Sequence, residues 1–472
     1  MDSRPWKVMR KVMPAETPRP QSAGGVGGRP SRLMLALVTC LALGLLLAAC
    51  GRRGQTTPTP PPVTTAVAAE SPNPAPSTPM VTPAGESAPI LPTPTSTQAP
   101  TPVSGRLVLW HSWAQADGDA LAAALERFQQ RYPDVTVDTL FVADPDLLQS
   151  YGEAVQAGGG PDLVLAPNWW LGQMVAAGVV QPLDGLVDEA ALRDYWPAAL
   201  DSLRWQGRLY GLPIYMELVS LYYNRALVDE GRLPNTLDDL LALAQEDPRQ
   251  GIGLYLSLYH LYWGIPAYGG QLLDADGRVV LDQNDGAARY LAWLVQADQT
   301  PGNFIDQDYG MLLDRFKKEE YAFFVDGPWS RDELQQALGE KLDVTLLPAG
   351  PVAPAQPWLN ASGFFINPQA SPEQQALALL FAREVSGPLG GPSMAGLARR
   401  LPAFRGAELG NDPILQGFFR QAAHAQALPA VPEMEQVWAY GGDMFLKVLA
   451  GGADPAQTVA ETSALINEAN GK

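Results

Sequence analysis

The chain has 472 residues, more than one hydrophobic core usually supports, so its length favours two lobes or two domains. Hydrophobic residues make up 46% of it and 12 residues are Trp, which excludes a chain that is disordered throughout. The formal net charge of -18 repels nucleic acid and anionic lipid headgroups. We therefore predict no nucleic-acid partner, and we expect any membrane attachment to need an anchor.

Residues 1–49 have the layout of a lipoprotein signal peptide. A basic leader runs into the apolar segment Leu33–Leu47, which is short for a membrane-spanning helix of about 20 residues, the alternative interpretation. Leu47–Cys50 (Leu-Ala-Ala-Cys) looks like a bacterial lipobox, in which the cysteine is lipidated and becomes the mature N-terminus. Cys50 is therefore the predicted lipidation site, with Cys40 as its rival. The expected location is extracytoplasmic, lipid-anchored to the cell membrane at the cell surface or in the periplasm.

Residues 50–103 are rich in Pro, Thr, Ser and Ala. This composition cannot bury a core and favours extended, polyproline-like chain. We predict a disordered linker between the anchor and the globular part. A glycosylated, mucin-like stalk is the alternative to a plain spacer.

Strand and helix patterns alternate from residue 104 onward. Arg106–Trp110 is a short apolar run typical of a buried strand, and Asp119 is the predicted N-cap of the helix that follows. Leu121 and Phe128 lie on one face of that helix, and Pro133 ends it. The next predicted elements are a strand at Val135–Val137, a helix at Leu147–Val155 and a strand at Asp162–Leu165. Such alternation predicts an α/β fold with a mainly parallel sheet.

Two helices near the C-terminus are predicted from capping signals. Ser371–Gln374 (Ser-Pro-Glu-Gln) has the pattern of a capping box and starts a helix that should end at Gly387. Asp454 before Pro455 gives the same signal for a last helix, with Ile466 on its apolar face. Both helices belong to the globular part.

The sequence lacks the usual marks of catalysis. His111, His260 and His424 are too scattered for a metal site, and no zinc or phosphate-binding motif occurs. Gly391–Gly396 has the wrong spacing for a nucleophile elbow. We predict no metal, no cofactor and no enzymatic activity. A surface glycosidase stays open as the alternative, because two of the 50 acidic residues could form a catalytic pair in the folded chain.

Aromatic residues follow several of the predicted strands. Trp113 comes after the first strand and Trp169 after the third, with Tyr259, Trp329 and Trp438 further along. Ligands of open α/β sheets bind at the carboxyl ends of strands, so these rings could line one cleft. A flat ring suits the apolar C–H patches of a sugar, so as a set they favour a carbohydrate ligand. For each ring by itself, packing in the core is the alternative.

Several stretches resemble a known family. Gly207–Pro213, Pro213–Asn224 and Leu233–Leu241 look like the central signature of the family 1 bacterial extracellular solute-binding proteins, the maltose-binding protein group. Tyr215 departs from it, because a small residue is usual there. Supporting stretches in the same order are Leu107–Trp113, Gly160–Val164, Gly178–Asp184, Asp326–Trp329, Leu347–Gly350, Leu401–Pro402 and Pro432–Trp438.

The resemblance implies a type II periplasmic binding fold, in which two α/β lobes with hinge crossovers surround a ligand cleft. The N-terminal lobe is expected at 104–216 plus 346–408, and the C-terminal lobe at 217–345 plus 409–472. The hinge segments are expected near Tyr215–Val219, Asp343–Leu347 and Phe404–Pro413.

The resemblance also implies ligand-binding residues. Trp329, Trp438 and Tyr259 match positions where the family stacks aromatic rings on sugars. Glu217 matches a carboxylate that contacts the ligand close to the hinge.

Three further positions depart from maltose-binding protein. Trp113, Asn168 and Trp169 stand where that protein has charged ligand contacts. Aromatic and amide side chains therefore replace two charge clusters. The departure keeps all three residues as predicted ligand contacts and puts maltose itself in doubt.

The function implied by the family is capture of a mono- or oligosaccharide and its delivery to the permease subunits of an ABC transporter, by a monomeric protein without catalysis. Within the binding class, a polyamine or another cationic solute is the alternative ligand. Glu217, an aromatic box and the acidic surface would suit such a cation.

Overall fold

The computed structural model describes residues 103–472. The predicted signal peptide, Cys50 and all but the last residue of the predicted linker lie outside the described residues. Between residues 103 and 472, no helix has both the length and the apolar character needed to cross a membrane.

Strands and helices alternate through this part of the chain. The strands, in chain order, are β1 (Gly105–His111), β2 (Val135–Phe141), β3 (Leu163–Pro167), β4 (Arg204–Trp205), β5 (Arg208–Leu209), β6 (Gly211–Glu217), β7 (Ser220–Asn224), β8 (Ile252–Tyr255), β9 (Phe304–Asp306), β10 (Phe323–Asp326), β11 (Leu342–Thr345), β12 (Trp358–Ile366), β13 (Leu401–Pro402) and β14 (Gln426–Ala427).

The helices between them are short to medium in length. In chain order they are α1 (Gln115–Arg131), α2 (Asp144–Gln156), α3 (Leu171–Ala176), α4 (Glu189–Leu192), α5 (Pro197–Asp201), α6 (Leu237–Glu246), α7 (Leu258–Leu261), α8 (Gly264–Ala267), α9 (Gly286–Gln299), α10 (Tyr309–Lys317), α11 (Arg331–Leu338), α12 (Pro372–Ser386), α13 (Gly391–Gly396), α14 (Pro413–Ala422), α15 (Met434–Leu449) and α16 (Pro455–Ala469).

The first sheet has the strand order β13-β6-β12-β3-β1-β2, and β14 pairs with the start of β12. β1 runs parallel to β2 and β3, as the alternating pattern predicts. β12, however, lies antiparallel between β3 and β6. Within this sheet, the prediction of mainly parallel strands therefore holds only for β1 to β3, because β12 enters from the second sheet rather than through a helical crossover.

The second sheet has the strand order β11-β7-β10-β8-β9. β8 is parallel to β9 and β10, whereas β7 runs antiparallel to β10 and β11. Phe323–Val325 in the central strand β10 are fully buried. Phe323 and Val325 belong to a second hydrophobic cluster, whereas Phe324 belongs to the cluster that continues into the first sheet.

The chain passes between the two sheets several times. It leaves the first sheet after Glu217, begins the second at Ser220, and returns between Thr345 and Trp358. After β13 it reaches α14, which packs closely on β11. A Cβ added to Gly417 of α14 would stand 2.7 Å from Val344 Cβ. Each of the expected hinge segments overlaps or adjoins one of these connections, and the exact lobe boundaries stay a prediction.

Capping signals were informative at two helices and misleading at one. Ser371 and Asp454 cap α12 and α16, since their side chains accept hydrogen bonds from the backbone N–H of Gln374 and Gln457. The prediction that Asp119 caps α1 was wrong. The helix begins at Gln115, because Gly118 N already donates to Ala114 O at 3.3 Å, and Asp119 lies inside it.

Candidate functional site

One wall of the candidate site is formed by three side chains in contact, from the first sheet and its loops. Trp113, just after β1, packs on Tyr215 of β6 with ring centroids 5.4 Å apart. The guanidinium of Arg400, just before β13, lies 5.3 Å from the centroid of the Tyr215 ring. Tyr215, which departs from the family pattern, thus contacts both an indole and a cation.

Arg400 also joins two carboxylates. Its Nε and Nη2 each donate to Asp117 at 3.0 Å, and its Nη1 donates to Glu217 Oε1 at 2.7 Å. The Glu217 side chain is only 17% exposed. Burial raises the pKa of Glu217, an effect that the positive charge of Arg400 opposes and the negative charge of Asp117 reinforces. We name Asp117, Glu217 and Arg400 the ion triad.

A cavity of about 160 Å³ adjoins this wall. Its lining includes Ser112, Trp113, Asp117, Trp169, Tyr215 and Ser362. Trp113 and Trp169, which follow different strands, are thereby brought to one cavity at the carboxyl ends of β1 and β3. The indole of Trp169 is 37% exposed.

Two amide oxygens in this region are buried without a hydrogen-bond partner among residues 103–472. They are Asn168 Oδ1, immediately before Trp169, and Asn360 Oδ1, on the β12 residue that pairs with Glu217. A buried acceptor without a donor is costly, and a ligand hydroxyl or a water could supply one.

A second aromatic cluster lies beside the second sheet. The rings of Tyr259 on α7 and Trp329 after β10 are 6.1 Å apart and inclined by 47°. His260 packs edge-to-face on both rings, at 5.6 Å from Tyr259 and 5.7 Å from Trp329. The imidazole therefore contacts two rings that come from distant parts of the sequence.

The turn that carries Trp329 is fixed by hydrogen bonds. Gly327 O accepts from Tyr222 OH at 3.0 Å and from Ser330 Oγ at 3.1 Å. The indole folds back over Gly327 so closely that an added Cβ would stand 2.1 Å from Trp329 Cζ3. The indole is nevertheless 38% exposed, because the turn projects it from the end of the sheet.

Asp326 holds this cluster in place through hydrogen bonds. Its carboxylate is fully buried and accepts from Tyr309 OH at 2.7 Å, from His260 Nε2 at 3.4 Å and from Gly327 N at 2.9 Å. Burial and then the charge of Asp326 raise the pKa of Tyr309, so its hydroxyl stays a donor. His260 is held at its other nitrogen as well, since Nδ1 lies 2.8 Å from Ser257 Oγ.

Tyr259 is partly buried. Burial first, and then the negative charges of Glu217 and Asp326, raise the pKa of its phenol. Its hydroxyl donates to Trp358 O at 3.5 Å. Trp438 on α15 packs edge-to-face on the buried Trp358 at 5.5 Å. Trp438 thus joins the cluster through Trp358 rather than directly.

The sequence reasoning missed four residues of this arrangement: Asp117, His260, Asp326 and Arg400. Asp326 and Arg400 directly precede or begin stretches that resemble the family, Asp326–Trp329 and Leu401–Pro402, and this was the available signal. Trp263 stands near Tyr259 in the sequence but is fully buried in the core.

Comparisons with known proteins identify the family and the fold. Residues 123–416 match the family model described as bacterial extracellular solute-binding protein. A maltotriose-binding protein of Pyrococcus abyssi is 26% identical over 364 residues, which cover 71% of this chain and 75% of that protein. A galactooligosaccharide-binding protein of Bacillus subtilis is 25% identical over 384 residues, with 76% and 87% covered. A maltooligosaccharide ABC transporter solute-binding lipoprotein of Streptococcus pneumoniae is 24% identical over 340 residues, with 66% and 77% covered.

Among solved structures, a cyclo/maltodextrin-binding protein complexed with maltotetraose superposes with a TM-score of 0.68 at 22% identity. The match covers 78% of this chain and 98% of that one. This likeness confirms the predicted fold class, a type II periplasmic binding fold with two α/β lobes and hinge crossovers around a cleft.

Proposed function

Because this chain belongs to the bacterial extracellular solute-binding proteins, we propose that it captures an oligosaccharide outside the cytoplasm and delivers it to the permease subunits of an ABC transporter. The observation that carries the proposal is Trp329. Its exposed indole is held at a fixed angle to Tyr259 by His260 and by a hydrogen-bonded turn. Such a rigid, half-exposed aromatic pair suits the apolar faces of sugar rings.

Polar groups beside the rings complete the proposed site. The unpartnered amide oxygen of Asn168 and the carboxylate of Glu217 are acceptors for sugar hydroxyls. The proposed ligand contacts are Trp113, Asn168, Trp169, Glu217, Tyr259, Trp329 and Trp438. The relatives are named for maltotriose, maltooligosaccharide and galactooligosaccharide, which supports an oligosaccharide and leaves its linkage as the question for experiment.

A ligand screen tests the proposed function. Maltotriose, a β-galactooligosaccharide and spermidine are each titrated against the purified protein, and the unfolding temperature is followed. A ligand present at about 100 times its dissociation constant adds about 2.7 kcal/mol to the free energy of unfolding. We expect a rise with a sugar and none with spermidine. Breakdown products of the sugar, or a response to spermidine alone, would contradict the proposal.

Closure of the lobes is the expected response to ligand. A cleft between lobes 104–216 plus 346–408 and 217–345 plus 409–472 can exclude water from a sugar only if the lobes rotate about their crossovers. We therefore expect small-angle scattering to give a smaller radius of gyration with the sugar identified in the screen. A profile that is unchanged at saturating sugar would count against closure.

We also propose that the protein is anchored to the membrane surface through a lipid on Cys50 and that it is a monomer. Support comes from the Leu47–Cys50 lipobox and from the related Streptococcus pneumoniae lipoprotein. Cys50→Ala is expected to release unanchored protein or leave an unprocessed precursor, whereas the matched Cys40→Ala variant should stay anchored. Mass spectrometry of the mature N-terminus measures this, and an unmodified N-terminus at another position would rule Cys50 out.

A further inference from the structure

The ion triad poses a question that the family resemblance does not answer. A site with carboxylates and aromatic rings could bind either a sugar or an organic cation, because both surround themselves with such groups. In this chain, however, Asp117 and Glu217 already have a cation, Arg400, which lies on the Tyr215 ring as a ligand cation would.

We infer that Arg400 is a specificity-determining residue, which occupies the carboxylates of the cleft wall so that the site takes an uncharged polyol and excludes an organic cation. The inference rests on the proposed function for the sugar ligand. The exclusion of cations follows from the triad itself.

The geometry of the triad makes Arg400 hard to displace. A guanidinium donates to a carboxylate through two parallel N–H groups, and Arg400 uses this bidentate form on Asp117 while its third nitrogen reaches Glu217. An ammonium group is a point charge on a flexible stem and cannot make the same fork. The three side chains are only 26%, 24% and 17% exposed for Arg400, Asp117 and Glu217, which strengthens their attraction relative to that of surface pairs.

Glu217 can still receive a neutral ligand. Arg400 engages Oε1, and in the described part of the chain Oε2 has no hydrogen-bond partner. A sugar hydroxyl can donate to Oε2 without disturbing the ion pair, whereas a free cation would compete with Arg400 for the same charge. Arg400 also fixes the orientation of Glu217, so the acceptor is in place before the ligand arrives.

The backbone before Arg400 is shaped to bring it there. Arg399 has φ of +53°, a conformation that is uncommon for residues other than glycine. Arg400 N donates to Met394 O at 2.8 Å, which closes the turn after α13. The following residues, Leu401 and Pro402, then pair with β6 beside Tyr215. Arg400 is therefore held next to β6, the strand that carries Tyr215.

Replacement of Arg400 tests the inference by a gain as well as a loss. In Arg400→Met the side chain keeps much of its length and apolar volume but loses its charge. We expect maltotriose affinity to fall by at least about tenfold, because Glu217 loses the ion pair with Arg400 that fixes its orientation. We expect no binding of the diamine cadaverine by the wild type and measurable binding by Arg400→Met, because two carboxylates and the Tyr215 ring become available in the variant. Calorimetry with both ligands measures the two effects.

Three further variants sharpen the test. Arg289→Met is the matched control, since Arg289 also lies over an aromatic ring, 5.5 Å from the centroid of Tyr268, and also pairs with a carboxylate, that of Asp285 at 3.8 Å, but on the exposed face of α9. It should behave as wild type toward both ligands. Arg400→Lys keeps the charge but loses the bidentate contact, so it should bind cadaverine more weakly than Arg400→Met does. Asp117→Asn combined with Arg400→Met should lose the gained cadaverine binding.

The outcomes separate this inference from the proposed function. A wild type that binds no oligosaccharide, together with cadaverine binding by Arg400→Met, would overturn the sugar proposal and leave the role of Arg400 standing. Cadaverine binding by the wild type would overturn the role of Arg400, as would wild-type behaviour of Arg400→Met, or cadaverine binding by Arg400→Lys as tight as that by Arg400→Met. Arg400→Gln is a second uncharged variant for the case in which Arg400→Met does not fold, and it should give the same gain.

Discussion

Trp329→Ala is expected to weaken oligosaccharide binding by about 5- to 150-fold, the effect of losing one good stacking face worth about 1–3 kcal/mol. Its unfolding temperature should stay close to that of the wild type, because the indole is 38% exposed at a turn and fills no core. A Trp from a core, such as the fully buried Trp263, would instead cost about 3–5 kcal/mol of stability on truncation. Calorimetry with the sugar, paired with thermal unfolding without it, measures both quantities.

Trp205→Ala is the matched control for this prediction. Trp205 is also a half-buried indole, but it belongs to the β4–β5 hairpin and packs over Gly172 of α3, where an added Cβ would stand 2.6 Å from Trp205 Cζ3. We expect this variant to bind the sugar normally. If Trp329→Ala bound normally and melted at a much lower temperature, its indole would be a structural group and the proposed site would lose its main member.

The position of Trp329 could be predicted from local sequence, whereas its support could not. Gly327 and Pro328 favour a turn at any place in a protein, so the exposed position of the next residue follows from its neighbours. His260 lies 66 residues before Asp326, and no local pattern marks a histidine whose partners are that distant. The contacts of His260 with Tyr259 and Trp329 form only when α7 and β10 lie side by side in the folded chain.

The ion triad shows the same limit more strongly. Glu217 could be named because it lies within a recognisable stretch, but its partner Arg400 is 183 residues away. Arg400 and Asp117 are separated by 283 residues. One arginine among 32 Lys and Arg residues carries no mark of the carboxylates that it will meet. Long-range pairing of charges is a property of the tertiary fold.

The fold was predictable to the extent that it is local. Apolar periodicity identified β1, α2 and β3, and the capping residues Ser371 and Asp454 located two helix starts. The antiparallel position of β12 between β3 and β6 was not predictable in this way. The reason is that strand order depends on where the chain re-enters the sheet, and alternation along the sequence does not contain that information.

Asp326→Ala is expected to lower the free energy of unfolding by about 3–5 kcal/mol and to weaken sugar binding as well. The carboxylate is fully buried, and its loss removes the acceptor of the buried His260 Nε2 and Gly327 N and of the partly buried Tyr309 OH. Binding should weaken because these hydrogen bonds hold the turn that carries Trp329 and the His260 ring that packs on it. Urea unfolding gives the first quantity and calorimetry the second.

Asp332→Ala separates this effect from simple loss of an acidic residue. Asp332 lies close in sequence, on α11, and its side chain is 71% exposed in an ion pair with Arg399. An exposed pair of this kind contributes about 0–1 kcal/mol, so the control should unfold almost as the wild type does. Asp326→Asn keeps one acceptor oxygen and should fall between wild type and Asp326→Ala in both measurements. Should Asp326→Ala unfold like the wild type, the buried network would not be what fixes Trp329, and the indole would owe its position to the close packing on Gly327 alone.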